Sequence, residues 1–195
     1  MQLLKGILQQ EPEQAEALYQ LGVLAHELEQ TEQALEYLSR AVRSAPENFQ
    51  YQASLGVVRY RQGDLAVARQ SFEQALALPA DAAQAQTHTH TQARAQVHHD
   101  LAVVLTKQGE VAAAVEHYRT ADRLQPGQAD TCRNLGVLLE GQGQRDEAIE
   151  CFQRALVANP QYAEVHYFLA VALGKQGERL AAIRSHLRAL SLIHI

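Results

Sequence analysis

Tryptophan is absent from this 195-residue sequence, and phenylalanine and proline are scarce, with four and five residues. Aromatic and β-branched residues favour pleated surfaces, whereas the alanine, leucine, glutamine and glutamate that are abundant here favour helix. The shortage therefore disfavours a β-sandwich. Hydrophobic residues still make up 47% of the chain, which is enough to bury a core. Composition thus predicts an all-α protein.

Cysteine is scarce too. Cys132 and Cys151 match neither a disulfide framework nor a metal-binding motif, so we expect two free thiols. Positive charge is limited: 17 basic residues stand against 22 acidic ones, and like charges do not run together. Because no broad positive field is present to neutralise phosphates, we expect neither nucleic acid nor an anionic membrane as a partner.

Long apolar runs are also missing. Lys5, Gly6 and Gln9 interrupt the first ten residues before a signal-peptide apolar region could form, and no segment approaches the length of a membrane span. We therefore expect a soluble, cytoplasmic protein. The alternative is a fragment that has lost its targeting segment.

What the sequence does contain is an internal repeat. A short pattern of a leucine, a small residue and a valine returns at residues 21–23, 55–57, 101–103, 135–137 and 169–171. Gly56 lies 34 residues after Gly22, and Gly136 lies 34 residues after Ala102. The second and third copies are 46 residues apart, which is one period plus an insertion of 12. A fixed period of this length indicates stacked supersecondary units.

A second pattern follows each copy in register. Two alanines seven residues apart enclose a larger side chain, in the triplets Ala34, Leu38, Ala41; Ala68, Phe72, Ala75; Ala114, Tyr118, Ala121; Ala148, Phe152, Ala155; and Ala182, His186, Ala189. Apolar residues in both patterns recur at three and four positions, so each unit is predicted to be two helices. The small residues let the helices approach closely, and we interpret them as structural.

Glycine marks the break between the two helices of a unit at Gly63, Gly109, Gly143 and Gly177, where it can adopt the left-handed conformation that ends a helix. Glu29 takes this place in the first copy, so we expect a less regular turn there. Proline ends the unit at Pro46, Pro79, Pro126 and Pro160.

This pattern resembles the tetratricopeptide repeat (TPR), a 34-residue helix-turn-helix with a Leu-Gly pair, two alanines, an aromatic residue and a terminal proline. The early tryptophan of the family is replaced here by Leu18, Gln52, His98, Cys132 and His166. The resemblance implies a right-handed α-solenoid. We expect repeats at 15–48, 49–82, 95–128, 129–162 and 163–195, a partial helix of a preceding repeat at 1–14, and an insertion at 83–94.

The insertion contains Thr-His-Thr-His-Thr between helix-prone flanks. We expect it either to extend the first helix of the third repeat or to form a mobile loop. His88 and His90 are two positions apart and point to different sides of a helix, and no nearby cysteine completes a four-ligand set, so a metal site is disfavoured. We expect His98 to be a packing residue.

Catalytic motifs are absent. The one glycine-rich stretch, residues 141–146, lacks the last glycine of a dinucleotide fingerprint and falls between two predicted helices. Glu147 and Glu150 fall on a predicted exposed helix face, so they do not suggest an acid/base pair. We expect no enzymatic activity and no cofactor.

The resemblance implies that the first helix of each repeat lines a concave groove. A valine recurs there, at Val23, Val57, Val103, Val137 and Val171. Polar and aromatic margins are provided by Tyr19, Tyr60, His99, Arg133, Asn134 and Tyr167. The strip either binds a peptide with apolar anchors or packs against the neighbouring helix. Some TPR proteins clamp a terminal carboxylate with lysine and asparagine. Valine fills that asparagine position here, so such binding is disfavoured.

We therefore interpret the chain as a protein-interaction scaffold that binds a peptide in the groove. One alternative is the noncatalytic TPR region of a larger enzyme, such as a glycosyltransferase, sulfotransferase or methyltransferase, because both ends of the repeat array look unfinished. Another is self-association through uncapped ends, whose leucines we expect to be exposed: Leu3, Leu4, Leu187, Leu190 and Leu192.

Overall fold

A computed structural model describes residues 2–79 and 88–193, and these residues form eleven α-helices and no strand. The helices are α1 (Gln2–Gln10), α2 (Ala15–Glu27), α3 (Thr31–Ser44), α4 (Phe49–Gln62), α5 (Leu65–Ala77), α6 (His88–Gln108), α7 (Val111–Leu124), α8 (Ala129–Gly141), α9 (Arg145–Ala158), α10 (Ala163–Gln176) and α11 (Arg179–Ile193). The prediction of an all-α fold is confirmed. The two helices predicted for each repeat are present.

The chain divides into two compact units, Met1–Glu110 and Val111–Ile195. In unit 1, α2 pairs with α3 and α4 pairs with α5, while α3 packs on α4 and α5 packs on α6. In unit 2, α8 pairs with α9 and α10 pairs with α11, while α7 packs on α8 and α9 packs on α10. Each unit is therefore a stack of helix pairs that contact the pairs next to them in sequence.

Five turns between successive helices have the same hydrogen-bond pattern. The N–H of Gly63 donates to the carbonyl of Tyr60, and that of Asp64 donates to Arg59, which satisfies two carbonyls at the end of α4. Gly109, Gly143 and Gly177 also have positive φ, as expected. Our expectation for the first turn is wrong: Glu29 adopts φ 59° and makes the same bonds. The turn keeps its geometry because the left-handed conformation is strained but accessible to a non-glycine residue.

Small residues occupy the contact between the helices of a pair. A Cβ atom added to Gly56 would lie 2.6 Å from the ring of Phe72, and one added to Gly136 would lie 2.6 Å from the ring of Phe152. Both alanines of the second pattern are buried in the first four copies, and Ala189 is buried in the last. The prediction that these residues are structural is confirmed in the first four copies. Ala182 is only half-buried.

Helix α6 is 21 residues long, whereas α2, α4, α8 and α10 have 13 or 14 residues. It begins at His88, so residues 88–94 of the predicted insertion extend the first helix of the third repeat. This is the first of the two alternatives that the sequence left open. Residues 83–87 of the insertion lie outside the described residues.

Apolar side chains are exposed near the first and last described helices. Leu3 is 80% exposed, and Leu187 and Leu190 are exposed on α11. Leu4 and Leu192 are half-buried, so the prediction of exposure is wrong for these two.

Candidate functional site

One valine lies at the same position in each first helix, two residues after a core leucine. None of the five is buried: Val137 is 37% exposed, and the other four are half-buried. Residues two positions apart point to different sides of a helix, so a buried leucine such as Leu135 leaves its valine at the edge of the core. We call Val23, Val57 and Val103 the valine face of unit 1, and Val137 and Val171 the valine face of unit 2.

A pocket of about 220 Å³ lies on the valine face of unit 1, which we call the unit 1 pocket. Side chains from three helices line it: Tyr19 from α2, Ala53 and Val57 from α4, and Val97 and Asp100 from α6. Two of the predicted groove residues, Tyr19 and Val57, therefore meet at one site. The first helices of successive repeats build this pocket together.

Aromatic stacking holds Tyr19 in the wall of the pocket. Its ring stacks on that of Tyr51, with the centroids 4.8 Å apart. The Tyr51 hydroxyl donates to Glu16 Oε2 at 2.9 Å, and burial together with this bond raises the pKa of Tyr51 to about 12. Tyr51 stays neutral at physiological pH, so Tyr19 stacks on an uncharged ring.

The extension of α6 packs on the start of α4. The Phe49 ring lies 5.6 Å from the His90 ring and 5.8 Å from the guanidinium carbon of Arg94. Arg94 also donates to the carbonyls of Leu76 and Leu78, at 3.0 and 3.4 Å. These contacts fix the N-terminal half of α6, which brings Val97 and Asp100 to the unit 1 pocket.

Asp100 is the only charged residue among the described residues that line the unit 1 pocket. Its Oδ1 accepts a hydrogen bond of 2.9 Å from Gln96 Nε2. Burial raises the pKa of Asp100 to about 6, and the bond from Gln96 opposes part of this rise. Desolvation disfavours the ionised carboxylate, and one neutral hydrogen bond does not fully offset the cost.

The other end of the valine face of unit 1 has a basic margin. Lys107 Nζ lies 4.9 Å from the centroid of the Tyr60 ring, a cation–π contact between α6 and α4. His26 is half-buried near Arg61. Burial and the charge of Arg61 lower the pKa of His26, and the charge of Glu27 opposes them. His26 is therefore neutral at physiological pH.

The margins of the valine face of unit 2 are held by ion pairs between α8 and α10. Arg133 Nη1 lies 3.4 Å from Glu164 Oε2, and the Arg133 guanidinium lies over the Tyr162 ring at 5.9 Å. Lys175 donates to Glu140 Oε1 at 2.8 Å. Of the predicted margin residues, Tyr167 is 49% exposed and Asn134 is half-buried. Ion pairs therefore hold Arg133 and Lys175 in place, while Tyr167 and Asn134 remain accessible to solvent.

The repeat pattern does not single out Phe49, Gln96 and Val97 of the unit 1 pocket, whereas Asp100 occupies the groove-flanking position that Asn134 holds in the next repeat. Phe49 and Val97 matched no feature of the repeat pattern. Asp100 follows His99, which was selected and is half-buried. The extension of α6 adds Ala93 to the lining of the pocket.

Both cysteines are free and buried in unit 2. Burial is the main cause that raises the pKa of Cys132 to about 11 and that of Cys151 to about 12. The thiols therefore stay protonated at physiological pH and pack as small apolar groups. They do not form a nucleophilic site.

Residues 2–79 and 88–193 contain neither a candidate metal cluster nor a candidate membrane span. No group of three or more His, Cys, Asp or Glu side chains in these ranges is arranged to hold a metal ion. Of the helices in the same ranges, none combines the length and apolar character needed to cross a membrane.

The packed helix pairs and the periodic valine faces define a helical-repeat protein. Two family models, both described as tetratricopeptide repeat, match the chain: one at residues 105–172, and the other at 2–48, 19–85 and 54–129. The chain therefore belongs to the tetratricopeptide repeat family. A search of curated proteins finds no match.

Solved structures share this fold. The crystal structure of YrrB, described as a TPR protein with an unusual peptide-binding site, is 18% identical, covers 97% of this chain and 91% of its own, and has a TM-score of 0.79. A crystal structure of MamA is 20% identical, with coverage of 89% and 95% and a TM-score of 0.76. The Pseudomonas aeruginosa pilF structure is 23% identical, with coverage of 91% and 75% and a TM-score of 0.72. At these identities the likeness concerns the fold.

Proposed function

We propose that this chain is a protein-interaction scaffold that binds a peptide segment along the valine faces of its first helices. One observation carries the proposal: a valine recurs at one position in five helices, and none of the five is buried. Apolar side chains that stay accessible on neighbouring first helices of one unit offer anchor points to an extended or helical peptide. The proposal takes the repeats to be 15–48, 49–82, 95–128, 129–162 and 163–195, as predicted from the sequence.

The margins of the faces support a polypeptide ligand. Apolar anchors flanked by aromatic rings and paired charges are the composition of protein-binding surfaces, where tyrosine and arginine contribute most of the affinity. Tyr60 and Lys107 provide such a margin in unit 1, and Tyr167 and Arg133 provide one in unit 2. The peptide-binding site described for YrrB agrees with this use of the fold.

The test is a crosslinking pull-down with mass spectrometry that compares the wild-type chain with Val103→Glu and Val137→Glu. A carboxylate in an apolar contact costs about 2 kcal/mol or more in binding free energy. We therefore expect each variant to bind its partner at least about tenfold more weakly. Val157→Glu is the matched control, since Val157 is 84% exposed on α9, a helix that contributes no residue to either valine face. Circular dichroism checks that all three variants stay helical. Unchanged capture by both groove variants would contradict the proposal.

A further inference from the structure

We propose that the unit 1 pocket receives a basic side chain, lysine or arginine, of the bound peptide and pairs it with Asp100. The inference rests on the proposed function, because the pocket lies on the valine face of unit 1. It adds a chemical class to that function: the peptide carries a cationic residue at the position that faces α6.

The walls of the pocket suit the stem of such a side chain. Tyr19, Val57 and Val97 are apolar or carry only a neutral hydroxyl. Lysine and arginine bury their methylene groups along apolar surface while the charged end seeks a polar partner. Asp100 is that partner here, since it is the only charged group among the described lining residues.

Within the described residues, no ion pair with a lysine or arginine balances the charge of Asp100. Arg94 is directed to the carbonyls at the end of α5, and Lys107 lies over Tyr60. A partly buried carboxylate with a single neutral hydrogen bond gains most from a cation supplied by a ligand.

The raised pKa of Asp100 agrees with this role. It reports a carboxylate removed from water, where an opposite charge interacts more strongly than at an exposed site. Of the other lining residues, Tyr19 on α2 is titratable, whereas those of α4, such as Phe49 and Val57, are not. His99 is the neighbour of Asp100 on α6, so a variant at His99 serves as the control.

The experiment uses three small probes that share a butyl stem: n-butylguanidinium, n-butylammonium and the neutral n-butylurea. Each is titrated into the full chain, and binding is followed by amide chemical shifts in ¹H–¹⁵N NMR spectra. The cations are expected to give saturable shifts at Val57, Val97 and Asp100, and to bind at least about fivefold more tightly than n-butylurea.

Asp100→Asn removes the charge and keeps the shape, so it is expected to weaken cation binding about tenfold and to leave n-butylurea unaffected. Glu32→Gln, on the exposed face of α3, is the matched control and should leave cation binding unchanged.

Lowering the pH from 7.5 to 5 should weaken cation binding in the wild type and in His99→Gln alike, because Asp100 takes up a proton near pH 6. Equal binding of n-butylurea, or unchanged cation binding by Asp100→Asn, would overturn the inference.

The two proposals fail separately. Suppose that Val103→Glu and Val137→Glu no longer capture the partner, while the cations bind Asp100→Asn as tightly as the wild type. The peptide-binding proposal is then supported, and the proposal of a basic side chain at Asp100 is wrong. If the cations bind at Asp100 but the valine variants capture their partner normally, the peptide does not use the valine faces. The basic anchor of such a peptide is then wrong as well.

Discussion

Individual residues set the cost of the turns between paired helices. Glu29 occupies the position that glycine fills in the other four turns, and it does so with φ 59°. The left-handed conformation costs a non-glycine residue about 1–2 kcal/mol, whereas glycine adopts it freely at a smaller cost in unfolded-state entropy. The first turn therefore stores strain that the fold does not need.

Glu29→Gly is expected to raise the free energy of unfolding by about 1 kcal/mol, because it relieves this strain without removing a turn hydrogen bond. Urea denaturation followed by circular dichroism measures the change. Gly63→Glu is the reciprocal control: it places the same side chain at φ 89° in the second turn and should destabilise by a similar amount. A loss of stability in Glu29→Gly would mean that the glutamate side chain matters more than its backbone.

At the scale of the element, α6 is the helix that distinguishes this chain from a regular array. Its first residues are held mainly by Arg94, which joins the carbonyl ends of α5 to the ring of Phe49 on α4. Orphan carbonyls at a helix C-terminus are commonly satisfied by such basic side chains. One side chain thus ties three helices together beside the unit 1 pocket.

Arg94→Ala is expected to lower the free energy of unfolding by about 1–2 kcal/mol, since it removes hydrogen bonds to two carbonyls and one cation–π contact. Hydrogen exchange should accelerate in residues 88–97, while residues 101–108 remain protected. Arg43→Ala, at an exposed position near the end of α3, is the control. If exchange in residues 88–97 were unchanged, the extension of α6 would be held by packing alone.

The sequence predicted those elements whose signal is periodic. The 34-residue spacing located the helix pairs, and Gly63 or Gly143 located a turn because only backbone conformation is at stake there. The start of α6 could not be fixed, since helix-prone flanks enclose a segment of low helix propensity and tertiary contacts to Phe49 decide the outcome. The period places Asp100 beside the groove, at the position of Asn134, but no local pattern encodes its burial in a pocket lined by two other helices.

At the scale of the whole molecule, the last helix of unit 2 differs from its equivalent in the preceding pair. Ile183 on α11 is 54% exposed, whereas Ile149, one period earlier, is 7% exposed because α10 packs over α9. Leu187 lies beside Ile183, Tyr167 and Val171 around a pocket of about 320 Å³. These side chains form one apolar patch that is open to solvent at α11.

We expect the chain to self-associate through this surface. Light scattering over a concentration series should give an apparent mass that rises above that of one chain, because each contact removes apolar area from water. The double variant Ile183→Lys and Leu187→Lys should remain monomeric at every concentration. The control is Val157→Lys, at an exposed position on α9. A wild-type mass that stays monomeric throughout would contradict the expectation.

The position of the two thiols has a practical consequence. Cys132 and Cys151 are the only cysteines in the sequence, and both are enclosed within unit 2. An alkylating reagent reaches the buried thiols when unit 2 opens, so the labelling rate depends on the opening of unit 2. Unfolding confined to residues 1–110 leaves this rate unchanged. Alkylation kinetics therefore measure the opening of unit 2 separately from that of unit 1.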